Sequence, residues 1–158
     1  MLHVEDDSDD AFFVARAFGR ALAGCVIRRV KDGREAMDFL GGTGEFSAAG
    51  GAPQADLVLL DLKLPDVGGF EVLQWIRSQA RFKALPVVIL SGSSVEEDKQ
   101  RARELGASAY FVKTPNYADV AAFVAGLLPQ KGSLSFGGGS EARPEGVIGS
   151  AANSQELA

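Results

Sequence analysis

Cysteine is nearly missing from this chain: Cys25 is the one thiol in 158 residues. A single thiol cannot close an internal disulfide, which points to a reducing, intracellular setting. Cys25 opens an apolar stretch and reads as a small buried side chain. Long hydrophobic runs are missing too. No apolar segment approaches the ~20 residues of a membrane span, and no export signal of charged, apolar and then small residues opens the chain. These absences predict a cytoplasmic protein that stays off the membrane. Positive charge is also short, with 16 Lys and Arg against 21 Asp and Glu, and the net charge of −5 argues against a general nucleic-acid binder. His3, the only histidine, falls inside a predicted central strand and reads as a packing residue rather than a phosphoryl carrier. No internal repeat is visible.

What is present is ordinary for a globular domain: 46% hydrophobic and 23% charged residues. The length suits one domain with a full core and a tail left over. Short Val/Ile/Leu runs at 1–4, 25–30, 56–60, 86–90 and 109–112 have the continuous apolar character of parallel strands buried on both faces. Stretches of helical period separate them. Phe12, Phe13, Ala17, Phe18 and Leu22 line one face of the first; Ala36, Phe39 and Leu40 mark the second. Phe70, Val72, Leu73 and Ile76 mark the third, with Trp75 half-exposed beside them. Ala102, Leu105 and Ala107 mark the fourth, and Val120, Phe123, Val124 and Leu127 the fifth.

Start and stop signals agree with this reading. Asp7 reads as the cap of the first helix. Asp32 with Glu35, and Ser94 with Glu97, are capping-box patterns, and Gly106 sits where the fourth helix should end. Asp66 and Gly68-Gly69 read as a turn and a helix start. The result is (βα)5, an α/β pattern that calls for a parallel sheet with helices on both faces. Residues 41–55 form a long Gly/Ala/Ser loop, and 129–158 read as a disordered tail. The first strand has only Leu2, His3 and Val4 ahead of its acids, where five or six residues are usual. It is expected to be a weak point of the core.

The chemistry lies at the strand ends. In open α/β sheets, ligands bind outside the carboxyl ends of the strands. Here the first strand ends in Glu5-Asp6-Asp7, the third in Asp61, the fourth in Ser91 and the fifth in Lys113. Crowded carboxylates are costly unless a cation neutralises them. A hard divalent ion such as Mg²⁺ prefers oxygen ligands and takes phosphate oxygens besides. Glu5, Asp6 and Asp61 can hold it, and an ionised Asp61 can attack phosphorus. Lys113 can offset charge on phosphoryl oxygens, and the Ser91 hydroxyl can bond one of them.

The motifs VEDD, LLDLKLPD, VILSG and YFVK, in that order, resemble the receiver domain of two-component response regulators of the chemotaxis-receiver kind. The resemblance spans residues 1–128 and implies a flavodoxin-like doubly wound sheet in the order 2-1-3-4-5. It implies Asp61 as phosphoacceptor and Glu5, Asp6, Asp61 and the Lys63 backbone carbonyl as Mg²⁺ ligands. Ser91 and Lys113 would meet the phosphoryl group, and Tyr110 would be the switch aromatic. The implied partners are a sensor histidine kinase and a downstream protein, with self-association as a further route and no direct contact with nucleic acid. Such a chain is a switch that gains and loses its own phosphoryl group, not an enzyme acting on other substrates. The loop before Asp56 and the spacing from Phe82 to Pro86 are similar to receivers encoded beside phytochrome-like histidine kinases.

Two departures from the family pattern stand out. Receivers usually place proline directly after the lysine, often with a cis bond, but Thr114 intervenes before Pro115. A cis Lys-Thr bond would cost on the order of 3 kcal/mol, so a trans bond or a rearranged loop is expected. Lys63, two residues after Asp61, stands over the path of attacking water and predicts slow loss of phosphate. Two alternatives remain open at this level. One is a pseudo-receiver that binds partners without phosphorylation. The other is an aspartate-nucleophile phosphatase of the haloacid dehalogenase type, which would need an acid where Lys63 stands.

Overall fold

The computed structural model describes residues 1–22, 24–47 and 54–128. Five parallel strands carry the fold: β1 (Leu2–Val4), β2 (Arg28–Val30), β3 (Val58–Leu60), β4 (Val87–Ser91) and β5 (Ala109–Val112). They lie in the order β2-β1-β3-β4-β5. The connecting helices are α1 (Ser8–Ala21), α2 (Gly33–Gly41), α3 (Gly69–Ser78), α4 (Glu96–Glu104) and α5 (Ala118–Leu127). The architecture is the (βα)5 parallel sheet expected from the alternating pattern, in the flavodoxin-like strand order that the receiver resemblance implied. The expected tail, 129–158, and part of the expected 41–55 loop lie outside the described residues.

Strand side chains alternate between faces, and this divides the core in two. Val58, Leu60, Val87 and Ile89 pack with Phe39 and Leu40 of α2 and Val72, Leu73 and Ile76 of α3. Leu57, Leu59, Val88 and Leu90 pack with Val14 and Phe18 of α1 and Val120, Ala121 and Val124 of α5. Both faces of the sheet are therefore dry, which is why these strands read as continuous apolar runs.

The short β1 is better anchored than its length suggests. The terminal ammonium of Met1 donates to the Val26 carbonyl at 3.0 Å, and the Leu2 amide donates to Leu57 O at 2.9 Å. The ladder also continues past Val4: the Glu5 amide donates to Val30 O at 3.0 Å, and the Asp61 amide to Val4 O at 3.1 Å. These two bonds carry both acids on the rigid sheet rather than on loops.

Several local expectations are met. Asp7 caps α1, its carboxylate accepting from the Asp9 and Asp10 amides at 2.7 and 3.1 Å. Asp32 caps α2 through the Glu35 amide at 2.7 Å, while Glu35 reaches back to the Lys31 amide. Gly106 takes φ +86° just after α4, the left-handed step that ends the helix. His3 is buried and Trp75 half-buried.

Others are corrected. On α1 the buried residues are Ala11, Val14 and Phe18, and Phe12 and Phe13 are 61% and 48% exposed. Positions 11, 14 and 18 share one helical stripe, and two adjacent aromatics cannot both fall on it. Cys25 is half-buried and precedes β2, which starts only at Arg28. Ser94 does not open α4. Val95 holds the N-cap position, and Ser93 turns the chain instead, its hydroxyl donating to Asp98 at 2.5 Å and accepting from the Val95 amide. On α5, Phe123 and Leu127 lie at the margin, 38% and 36% exposed. No helix among the described residues is long and apolar enough to cross a membrane.

Candidate functional site

Four of the five strands deliver a site residue at their carboxyl ends. Glu5, one residue past β1, is fully buried, with Oε1 accepting from the Asp7 amide at 3.2 Å. Asp6 beside it is exposed. Asp61, one residue past β3, is buried, and its Oδ1 accepts from the Lys63 amide at 3.1 Å. Carboxylate oxygens of Glu5, Asp6 and Asp61 lie within 4.8 Å of one another. Two buried acids and one exposed acid, all with hard oxygen donors and open to solvent on one side, fit a divalent cation that keeps part of its water shell.

Lys113 follows β5, and its amide donates to Ser91 O at 2.8 Å, which continues the β4–β5 ladder. Its ammonium lies 2.7 Å from Glu5 Oε2, 2.8 Å from Asp10 Oδ2 and 2.8 Å from Asp61 Oδ2. Burial alone would lower the Lys113 pKa, but hydrogen bonds to Asp10, Asp61 and Glu5 outweigh it and raise the pKa overall. The same burial pushes Glu5 up to about 6 despite its bond to Lys113. His3, 3.9 Å from Glu5, is driven down to about 3, first by burial and then by the charges of Lys113 and Arg29. It is therefore a neutral packing group at physiological pH.

The remaining expected residues lie around this centre. Ser91 ends β4 fully buried, its hydroxyl accepting from the Ser93 amide at 3.3 Å. Tyr110 on β5 is half-buried, and its hydroxyl donates to Ser93 O at 2.8 Å. The tyrosine is thus tied to the loop that follows Ser91. The side chain of Lys63 is exposed. The loop after Lys113 is closed by Thr114 Oγ1 donating to Asn116 O at 2.9 Å. No cis peptide bond occurs among the described residues, in line with the trans Lys113-Thr114 bond expected.

Three residues were not legible as site residues. Arg29 on β2 donates to Glu5 O at 2.9 Å and to Asp6 O at 2.7 Å, clamping the turn that presents both acids. Asp10 and Tyr117 are joined by a 3.1 Å hydrogen bond, and Asp10 also holds Lys113. Gly69 is a fourth participant by virtue of its size. A Cβ there would stand 2.1 Å from Asp61 O and 2.7 Å from Leu62 Cα, so only glycine lets α3 start against the Asp61 backbone. The LLDLKLPD motif followed by paired glycines carried that signal, although the glycines read only as a helix start.

A family model described as the response regulator receiver domain matches residues 1–125. The chain belongs to that family. Receiver domains are signalling switches that bind a divalent metal at an acidic pocket and interact with histidine kinases and downstream proteins. Among curated relatives, "Probable methanogenesis regulatory protein FilR2" of Methanothrix harundinacea is 36% identical over 120 residues, covering 76% of this chain and 75% of its own. Response regulator Rcp1 of Synechocystis is 34% identical over 127 residues, covering 80% and 84%. Among solved structures, the bacteriophytochrome response regulator RtBRR is similar with a TM-score of 0.71 at 39% identity, covering 80% of this chain and 75% of that one. The Mn²⁺-bound form of Rcp1 matches with a TM-score of 0.69 at 34% identity, covering 80% and 88%. The phosphorylated cyanobacterial phytochrome response regulator RcpA gives 0.69 at 35%, with the same coverage.

Proposed function

We propose that this receiver domain is switched by phosphorylation of Asp61, with a sensor histidine kinase as the donor. The observation that carries this is the Asp61 carboxylate itself. It is buried at a strand end, held through Oδ1 by the Lys63 amide and through Oδ2 by Lys113, beside two further acids. A carboxylate oxygen of Asp61 attacks the phosphorus of a phosphohistidine; the new O–P bond forms as the P–N bond breaks, and the imidazole leaves. Lys113 then transfers one hydrogen bond from Asp61 to a phosphoryl oxygen, and Ser91 at the end of β4 supplies a hydroxyl to another. Glu5, Asp6, Asp61 and the Lys63 carbonyl are the residues proposed to hold Mg²⁺, which when bound offsets the charge of the acids and of the phosphoryl oxygens.

Tyr110 gives the switch its outlet. Its bond to Ser93 O links β5 to the loop that follows Ser91, so movement of that loop toward a phosphoryl group releases the hydroxyl. The surface that changes is made by α4, β5 and α5. Phe123 and Leu127, 38% and 36% exposed on α5, suit that surface to a protein partner or a second copy. The likeness to RcpA and RtBRR supports a kinase of the phytochrome class. The exposed Lys63 is proposed to shield the acyl phosphate and slow its loss. Residues 1–128 are proposed as the receiver unit, 129–158 as a tail, and the cytoplasm as the location.

Incubating the full chain with Mg²⁺ and acetyl phosphate tests the reading. Intact mass should show one phosphoryl adduct that is absent from Asp61→Asn. A wild-type chain that takes up no phosphoryl group would make it a binding module without the switch.

A further inference from the structure

The first turn of α1 carries an acid that the scheme above leaves unused. Asp7 caps the helix, and Asp10 follows three residues later, where a Glu or Gln would fold back on the cap amide. Asp10 instead turns both carboxylate oxygens toward other elements. Its Oδ2 accepts from Lys113 Nζ at 2.8 Å, and its Oδ1 accepts from the Tyr117 hydroxyl at 3.1 Å. These partners are 103 and 107 residues away along the chain. Tyr117 is buried at the start of α5; that burial and the Asp10 charge push its hydroxyl up to about 12. It stays a donor across the physiological range.

An ammonium has three donors, and at Lys113 two of them bond Asp10 and Asp61, while Glu5 Oε2 stands 2.7 Å away as an ion pair. Glu5 and Asp61 also belong to the set that can hold a cation, whereas Asp10 does not. Once a cation and a phosphoryl group draw on those two, Asp10 is the anion left to Lys113 alone. Without it, the ammonium can settle fully on the Asp61 carboxylate and cover the oxygen that must attack. Tyr117 fixes the plane of the Asp10 carboxylate, and so the direction from which the lysine is pulled.

We infer that Asp10, oriented by Tyr117, is a positioning residue for phosphoryl transfer, holding Lys113 from the α1 side so that it serves the phosphoryl oxygens without blocking the Asp61 nucleophile. The inference rests on the proposed phosphorylation of Asp61.

The test uses the full chain at saturating Mg²⁺ with acetyl phosphate as donor. Asp10→Asn keeps the shape and removes the charge. The phosphorylation rate constant at saturating donor should fall about tenfold while the half-saturating concentration stays within about twofold. Tyr117→Phe should cost about threefold in the same constant. In a Lys113→Met background neither change should have any further effect, because both act through the lysine. A wild-type rate in Asp10→Asn overturns the inference and leaves Asp61 phosphorylation standing. So does an equal loss with and without Lys113. A wild-type chain without an adduct at Asp61 overturns both readings together. If Asp10→Asn does not fold, the Tyr117→Phe and Lys113→Met cycle decides the matter on the same criteria.

Discussion

At the scale of single residues, two buried groups in the acidic cluster, Glu5 and the neighbouring His3, make opposite demands on pH. Glu5 has a folded-state pKa near 6, pushed up mainly by burial. A cation needs it ionised, so Mg²⁺ affinity should weaken about tenfold for each pH unit below 6. Calorimetric Mg²⁺ titrations between pH 5 and 8 would show this, and a flat profile would rule Glu5 out as a ligand. In the metal-free chain, Glu5 binds its proton more readily when folded. Its contribution to stability is therefore full below about 4.5 and lost as pH rises through about 6. His3 works the other way. Its pKa falls from 6.5 to about 3 on folding, so the unfolded chain takes the proton first. Stability present above pH 6.5 is then lost as pH falls, at about 1.4 kcal/mol per unit. Replacing His3 with valine should remove that slope and leave a constant packing offset. Urea melts of wild type and His3→Val from pH 7 to 5 would reveal it as a gap that changes with pH.

At the scale of elements, the decisive contact is between α3 and the end of β3. Gly69 brings the first turn of α3 against the Asp61 carbonyl, where a Cβ would come within 2.1 Å of backbone. Backbone cannot yield as the tip of a side chain can, so Gly69→Ala must push the helix and the Asp61 strand end apart. Overpacking of this kind costs about 1–3 kcal/mol. Gly69→Ala should lower the melting temperature and also slow phosphorylation of Asp61, whereas Gly126→Ala, with open space around it, should do neither. Elements were also where local patterns proved most uneven. Asp7, Asp32 and Gly106 act within one helical turn of where they stand, and their roles were legible directly. The Ser94–Glu97 capping box was not realised, because the turn after Ser91 engages Ser93 with Asp98 and delays α4 until Glu96. On α1 the large Phe12 and Phe13 outweighed the smaller Ala11 and Val14 in the pattern, although the latter hold the stripe that faces the sheet.

At the scale of the whole molecule, the family model ends at residue 125 and α5 at Leu127. If residues 1–128 are the complete folding unit, a chain ending there should unfold in one cooperative step within about 3 °C of the full chain, a shift equal to less than about 1 kcal/mol. It should also take up a phosphoryl group at an unchanged rate. A broad or much lower transition would assign a structural role to the segment that follows.

Much of this protein is set by neighbours in sequence. Period and apolar runs determine where strands and helices form, and position in the sequence alone puts the acids at 5, 6 and 61, the hydroxyl at 91 and the ammonium at 113 at the carboxyl ends of their strands. Convergence is another matter. The order β2-β1-β3-β4-β5 brings the ends of β1, β3 and β5 together, so that one lysine meets Glu5 and Asp61. Asp10, Tyr117 and Arg29 carry no local mark of their roles, because each is defined by a partner more than 20 residues away. A hydrogen bond of 3 Å across such a separation depends on strand register and helix packing together, and these exist only once the sheet has closed.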